Sequence, residues 1–202
     1  MKQCLIVGRP KVGKTLFLIN YAEFLGQKSL RIVMERPDFS VSSLVLSPEE
    51  ARIRLVSDSA NTTRTVQAIM VPFRAGKARV EVEFCDTPGL TEGISSDQEV
   101  RRAMAQAIRK IKSADLVIHM LDAQRVLTRS PAADTGDIDR EIARFGLGRG
   151  GYLMLINKMD LPGLAAAPER ARQAFPGHLV IGVSALRKHG FREVTRVVRR
   201  YL

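Results

Sequence analysis

Tryptophan is absent from this chain of 202 residues, and aromatic residues make up only 5% of it. The few aromatics do not interleave with the basic residues, so a stacking platform for single-stranded nucleic acid is unsupported. Cysteine is scarce as well: Cys4 and Cys85 are the two copies, each inside an apolar run. Two cysteines without histidine neighbours have no zinc spacing. They read as small buried thiols kept reduced, not as a redox pair or a metal site. No apolar stretch approaches the roughly 20 residues that cross a bilayer. The opening "MKQCLIVG" has neither the length nor the cleavage site of a secretory signal, so a cytoplasmic setting is expected. With no repeat and no low-complexity tract, one domain over residues 1–202 is expected.

What the chain does have is a basic surplus. Lys plus Arg number 32 against 21 acidic residues, a formal net charge of +11. Such an excess concentrates polyanions nearby: RNA, a ribosome or an anionic membrane face. It names no site. In the last predicted helix, "FREVTRVVRRYL", one face carries Arg192, Arg196, Arg199 and Arg200, and the other Phe191, Val194, Val198 and Tyr201. The apolar stripe reads as core. The basic stripe reads either as an RNA or ribosome contact or as solvated surface.

Hydrophobic periodicity sets the order of elements. "KQCLIVG" is a short strand, and "KTLFLINYAEFLG" suits a helix with Leu16, Ile19, Phe24 and Leu25 as its apolar positions. "SLRIVM" suits a strand, and "SPEEARIRLVS" a helix with Ser47 as N-cap, Pro48 in the first position and Glu49 and Glu50 following. "TVQAIMVPFR" and "ARVEVEFCD" flank "AGK" as an antiparallel hairpin. Beyond it are predicted a helix at 97–113, a strand at 115–122, a helix near 137–146 and a strand at 151–158. A helix in "PERARQAF", a strand at 178–184 and the final helix complete the order. Apolar strands alternating with helices predict an α/β fold: a mostly parallel six-stranded sheet, one antiparallel edge strand, and helices on both faces.

Against this order, the octet "GRPKVGKT" (Gly8–Thr15) lies between a strand and a helix and fits the spacing of a phosphate cradle. Its glycines let backbone N–H groups turn toward phosphate oxygens, and the helix that follows adds its positive end. Arg9, Pro10, Lys11, Val12, Gly13, Lys14, Thr15 and Leu16 are therefore candidate nucleotide contacts. Lys14 would reach the β- and γ-phosphates, and the Thr15 hydroxyl would hold Mg²⁺. "DTPG" (Asp86–Gly89) ends a strand; Asp86 can bind Mg²⁺ through water, and the Gly89 N–H can sense the γ-phosphate. "NKMD" supplies Asn157, Lys158 and Asp160. The Asp160 carboxylate can accept from guanine N1–H and N2–H₂, a donor pair that adenine lacks. "SAL" (Ser184, Ala185, Leu186) can offer backbone N–H groups to guanine O6. Each piece is weak alone; all four in order at strand ends, where such sheets bind ligands, predict a guanine-nucleotide site.

Here the chain resembles the translation-factor-related GTPases, and among them the Era/Der/TrmE-like group. The resemblance runs over roughly residues 2–202 and is carried by "GRPKVGKT", "NTTRT", "DTPGL", "NKMD" and "SAL", with "DAQRVLTRSPAADTGDIDREIA" as a further match. It implies a P-loop G domain that binds GTP and GDP and hydrolyses GTP as a switch. It also implies Mg²⁺ as cofactor, with Thr15, Asp86 through water and Thr63 (or Thr62) as the metal shell. Lys14, Thr63 and Gly89 would carry the chemistry. Relatives often add a second domain that recognises RNA or substrate, whereas this chain is expected to be a stand-alone G domain. Ribosome or RNA work, and a nucleotide-dependent dimer, follow from the resemblance alone.

Three departures qualify the resemblance. Leu90 stands where Ras-type relatives place the glutamine that orients water, so slow hydrolysis is expected, below about 1 per second for the isolated chain. A GTP-dependent scaffold with negligible turnover is the competing reading. Lys11 stands where K⁺-dependent members place asparagine. Its ammonium cannot ligate K⁺ but could take the ion's place against the phosphates; otherwise it points into solvent or touches the α-phosphate weakly. The extended first-switch region, about 28–64, is longer than the group needs. It could cover the nucleotide, contact a partner, supply Arg64 or Arg54 to the site, or form a surface helix with no catalytic role.

Overall fold

The computed structural model describes residues 2–36, 38, 40–56, 66–75, 78–90, 98–128 and 138–201. The strands are β1 (Lys2–Val7), β2 (Leu30–Glu35), β3 (Val41–Leu46), β4 (Val66–Ala75), β5 (Ala78–Asp86), β6 (Leu116–Asp122), β7 (Tyr152–Asn157) and β8 (Val180–Gly182). The helices are α1 (Lys14–Phe24), α2 (Pro48–Leu55), α3 (Gln98–Ser113), α4 (Ala123–Thr128), α5 (Ile138–Leu147), α6 (Ala167–Ala174) and α7 (Phe191–Val198). All strands join one sheet in the order β3-β2-β4-β5-β1-β6-β7-β8.

The α/β class stands as expected, but the sheet has eight strands instead of six. From β5 to β8 the pairings are parallel, and from β5 outward to β3 they are antiparallel. The antiparallel part is therefore three strands wide, not one edge strand. The extra width comes from the extended region, whose "SLRIVM" and "VSSLVL" runs pair with each other and then with β4. Seen alone, "VSSLVL" is a half-polar run; its alternating burial is that of an edge strand with one covered face. By contrast, β6 and β7 are buried along nearly their whole lengths, as parallel strands covered on both sides must be.

One core lies on each face of the sheet. The first gathers α1, α2 and α7 against the sheet through Phe17, Tyr21, Ala51, Phe191 and Val194. Most of the scarce aromatics are spent here: Phe191 meets the Phe17 and Tyr21 rings edge-on at 5.1 and 5.5 Å. In α1 the buried residues are Lys14 and Phe17 through Ala22, while Phe24 is 38% exposed. A helix enclosed on several sides gives a poor one-face pattern, which is why the apolar positions expected for it include the exposed Phe24 and not Phe17 or Leu18. The second core holds Ala107, Ile142, Ala171 and both sheet-facing Met154 and Ile156. Cys4 and Cys85 are buried and unpaired, and burial pushes the Cys4 thiol up to about 12, so both are inert packing groups.

Two local expectations hold in detail. Ser47 caps α2 in a complete capping box: its hydroxyl accepts from the Glu50 N–H, and Glu50 accepts from the Ser47 N–H at 2.8 Å. In α7, Phe191, Val194 and Val198 are buried and Arg192 and Arg196 are exposed; the helix ends at Val198, shorter than expected, so Arg199 and Arg200, also exposed, lie beyond it. No helix among the described residues is long and apolar enough to cross a membrane.

Candidate guanine-nucleotide site

Because β1, β5, β6, β7 and β8 run parallel, their carboxyl ends lie along one rim, and all four motifs follow those ends. At the turn after β1, Gly13 takes φ 96°, a left-handed value that favours glycine. Any Cβ there would also collide with the Asn157 amide. Lys14 opens α1 and is 7% exposed, its ammonium donating to the Gly8 carbonyl at 3.1 Å and to the Arg9 carbonyl at 2.9 Å. Burial lowers the Lys14 pKa, and the nearby Asp86 and Asp139 carboxylates oppose that shift. A buried ammonium hydrogen-bonded to loop carbonyls at a helix start, with the Asp86 and Asp139 carboxylates near it, suits the binding of phosphate oxygens.

Next to it, the Thr15 hydroxyl donates to Asp86 Oδ2 at 2.5 Å. Asp86 is fully buried, and desolvation raises its pKa to about 6 despite Lys14 and Thr15. Its other oxygen, Oδ1, is buried with no partner among the described residues. An orphaned carboxylate oxygen beside a threonine hydroxyl is a donor set that suits a hard cation such as Mg²⁺. The third expected ligand, Thr63 with its alternative Thr62, lies outside the described residues, as does Arg64. Gly89 sits against the octet, where a Cβ would come within 2.6 Å of Pro10. The Leu90 N–H donates to the Gly8 carbonyl at 3.1 Å, and its side chain is 1% exposed in the second core. Leu90 thus packs into the protein and presents nothing polar to the site.

On the base side, Asn157 is the hub. Its amide donates to the Val12 carbonyl at 2.7 Å and accepts from the Ala185 N–H at 2.9 Å, tying "NKMD" to the octet and to "SAL". Asp160 is exposed and accepts from the Ser184 hydroxyl at 2.6 Å. That hydroxyl also receives the Arg187 N–H at 2.9 Å. The Lys158 ammonium pairs with Asp122 at 2.6 Å, and Leu186 is 58% exposed.

Lys11, Lys158 and Lys188 are the described non-glycine residues with positive φ (63°, 71° and 58°), one in each loop around the site. Lys158 and Lys188 are anchored by Asp122 and Glu23. Lys11 is exposed and makes no ion pair among the described residues.

A polar chain beneath the octet escaped the sequence reading. Arg9 Nε donates to Asp139 Oδ2 at 2.6 Å, Asp139 Oδ1 lies 3.1 Å from His119 Nε2, and His119 Nδ1 lies 2.6 Å from the Tyr152 hydroxyl. Burial favours a protonated Asp139, but hydrogen bonding and charge from His119 and then Arg9 outweigh it, and the pKa falls. Arg9, expected to contact nucleotide, points its guanidinium at α5. The available signal was a histidine inside the apolar "LVIHML".

Residues 42–158 match the family model described as 50S ribosome-binding GTPase, more than half of the chain. The chain belongs to that family. The matched span starts after the octet and ends at Lys158, so Lys14, Asp160 and Ser184 are independent support for the same family. Over 190 residues the chain is 26% identical to the tRNA modification GTPase MnmE of Bacillus thuringiensis (strain Al Hakam), covering 94% of this chain and 38% of that one. MnmE of Aquifex aeolicus (strain VF5) is 26% identical over 187 residues, with 93% and 37% covered. The chain thus spans less than two-fifths of the length of these relatives. Aquifex aeolicus Era bound to GDP·AlF4⁻ superposes with a TM-score of 0.70 at 24% identity, covering 100% of this chain and 57% of that one. The G domain of the T. maritima FeoB iron transporter gives 0.58 at 17% identity, covering 100% and 98%. These structural likenesses show that the fold is that of a P-loop G domain.

Proposed function

We propose that the chain is a guanine-nucleotide switch that binds GTP, hydrolyses it slowly to GDP and phosphate with Mg²⁺, and works on an RNA-containing partner such as the ribosome. The observation that carries the nucleotide reading is the Asn157 hub, which joins the phosphate octet at Val12 to the base loop at Ala185. Those partners lie 145 and 28 residues away in sequence, and a guanine nucleotide needs both. Asp160, beside Ser184, supplies the acceptor pair that guanine N1–H and N2–H₂ require.

On phosphate binding, the Lys14 ammonium exchanges carbonyl partners for phosphate oxygens, a gain because its present partners are neutral. Thr15 and Asp86 would hold Mg²⁺, which supplies charge neutralisation at the phosphates. Leu90 gives no side chain to orient water, which supports slow turnover by the chain alone. Lys11, solvent-exposed in the octet, would on this reading bring a positive charge where K⁺-dependent relatives use an ion. The RNA reading is supported by the +11 charge and by the exposed arginines of α7. One solved relative, Era in complex with MgGDPNP and a segment of 16S ribosomal RNA, has a TM-score of 0.67 at 23% identity.

Titration of the chain with fluorescent GDP, competed by ADP, tests the base reading; equal competition by ADP would overturn it. Phosphate release from GTP with and without ribosomes, in K⁺ and in Na⁺, tests the rest. Slow release stimulated by ribosomes and indifferent to K⁺ is expected. Strong K⁺ activation would remove the role given to Lys11, and release that never leaves background despite tight GTP binding would make the chain a nucleotide-dependent scaffold.

A further inference from the structure

The extended region before residue 57 does more than widen the sheet: its helix α2 is bonded to α1, which in turn holds the base loop. Arg52 Nη1 donates at 2.8 Å to Asn20 Oδ1 and, also at 2.8 Å, to Glu23 Oε2, both on α1. Asn20 is 2% exposed, and its amide donates to the Ala185 carbonyl at 2.8 Å. Ala185 donates in turn to Asn157, and Asn157 to Val12. Four bonds of 2.7–2.9 Å thus run with one donor-to-acceptor sense from α2 across α1 and the base loop to the phosphate octet. The Asn20 and Asn157 side-chain amides each accept at one end and donate more strongly at the other; at Ala185 the accepting carbonyl and the donating N–H belong to different peptide groups, so that link is one of position.

A second path leads to the same loop. Glu23 Oε2 also accepts from the Lys188 ammonium at 2.7 Å. Lys188 sits at φ 58°, a left-handed conformation that a lysine does not favour, so the loop needs a hold there. The Glu23 carboxyl is kept low first by its bond to Lys188 and then by its bond to Arg52. The ion pair of Arg52 with Glu23 is about a third exposed on both sides, which makes it modest alone; the buried Asn20 bond is what carries order inward.

We propose that Arg52 is a positioning residue through which the inserted helix α2 holds the guanine loop and slows nucleotide release. The proposal rests on the guanine reading of the site. Ala185 and its neighbours bind the base only in one arrangement, and Arg52 fixes that arrangement from outside the pocket. Without it, Asn20 loses the partner that orients its amide, and Glu23 keeps only Lys188.

The test is the dissociation rate of GDP carrying a fluorescent ribose tag, chased with unlabelled GDP from the full chain. Arg52→Ala is expected to release it roughly threefold to tenfold faster, the loss of about one net hydrogen bond in the bound state. Arg52→Lys, which keeps one charged donor, should recover part of the difference, and Arg54→Ala, exposed on the same helix, should match the parent. Affinity for tripolyphosphate, which engages the phosphate cradle without a base, should stay within about twofold of the parent, whereas general unfolding would weaken it as well. Release from Arg52→Ala at the parental rate, or equal acceleration by Arg54→Ala, overturns the proposal while leaving the guanine reading intact. A parent chain that fails to bind GDP overturns that reading itself.

Discussion

The two ends of the nucleotide cleft are built on opposite principles. At the base end, Asn157, Ser184 and the Ala185 N–H and carbonyl all have partners within the protein. At the phosphate end, Lys14 is buried against neutral carbonyls, and Asp86 is buried with one oxygen unpartnered among the described residues. The base end is organised by contacts within the protein. The phosphate end stores unfavourable desolvation that only an anion and a cation relieve. Under the function proposed above, recognition of the base would be a matter of preorganised shape, and occupancy of the phosphate end would relieve that desolvation and trigger the switch.

Substitutions at the two ends should therefore separate binding from stability. Lys14→Ala should weaken GTP binding roughly 100-fold or more, the value of a charged donor on phosphate, while the nucleotide-free chain melts no lower than the parent. A lower melting temperature would mean that Lys14 is already satisfied in the free chain. Asp86→Asn sharpens the same point through pH. The folded carboxyl keeps its proton up to about pH 6, above the 3.8 of an ordinary aspartate. The folded chain therefore binds more protons than the unfolded one between those values, and stability without metal rises as pH falls from 7 through 6 toward 4. Urea unfolding of Asp86→Asn at pH 7.5 should show a gain of up to about 3 kcal/mol, from about two pKa units, and a loss of that pH dependence.

At the base end the sign reverses. Asn157→Ala leaves the Val12 carbonyl and the Ala185 N–H without partners, so about 2 kcal/mol of stability should go together with guanine affinity. Leu90→Gln should cost about 2 kcal/mol in urea unfolding without raising the rate of phosphate release, because it buries an amide in the second core. The smallest effect, about 1 kcal/mol, is expected for Ser184→Ala, which releases Asp160 and the Arg187 N–H. A Ser184→Ala chain as stable as its parent would argue that the base loop is not preorganised.

Much of the fold was legible in sequence because its signals are local. Continuous apolar runs mark β6 and β7, and Ser47-Pro48 with Glu50 marks α2 through a capping box contained in four residues. The width of the sheet was not legible, since "VSSLVL" becomes a strand only by pairing with β2. Arg9 is the clearest case at the site. Its place in the octet implies a nucleotide contact, and only the fold shows that its Nε donates to Asp139, 130 residues on. Leu90 was read for what it lacks, and its burial gives the reason: the position belongs to the core.

By itself the sequence determined the motifs, their order and their places at strand ends, because each is a short pattern of residue types with its own backbone requirement. Only the tertiary structure decided which side chains meet: Asn157 with Val12, Arg9 with Asp139, and Arg52 with Asn20. Those pairings follow from the order of strands and the packing of α1 between α2 and the base loop. No local pattern records them, since a hydrogen bond is chosen by proximity in space.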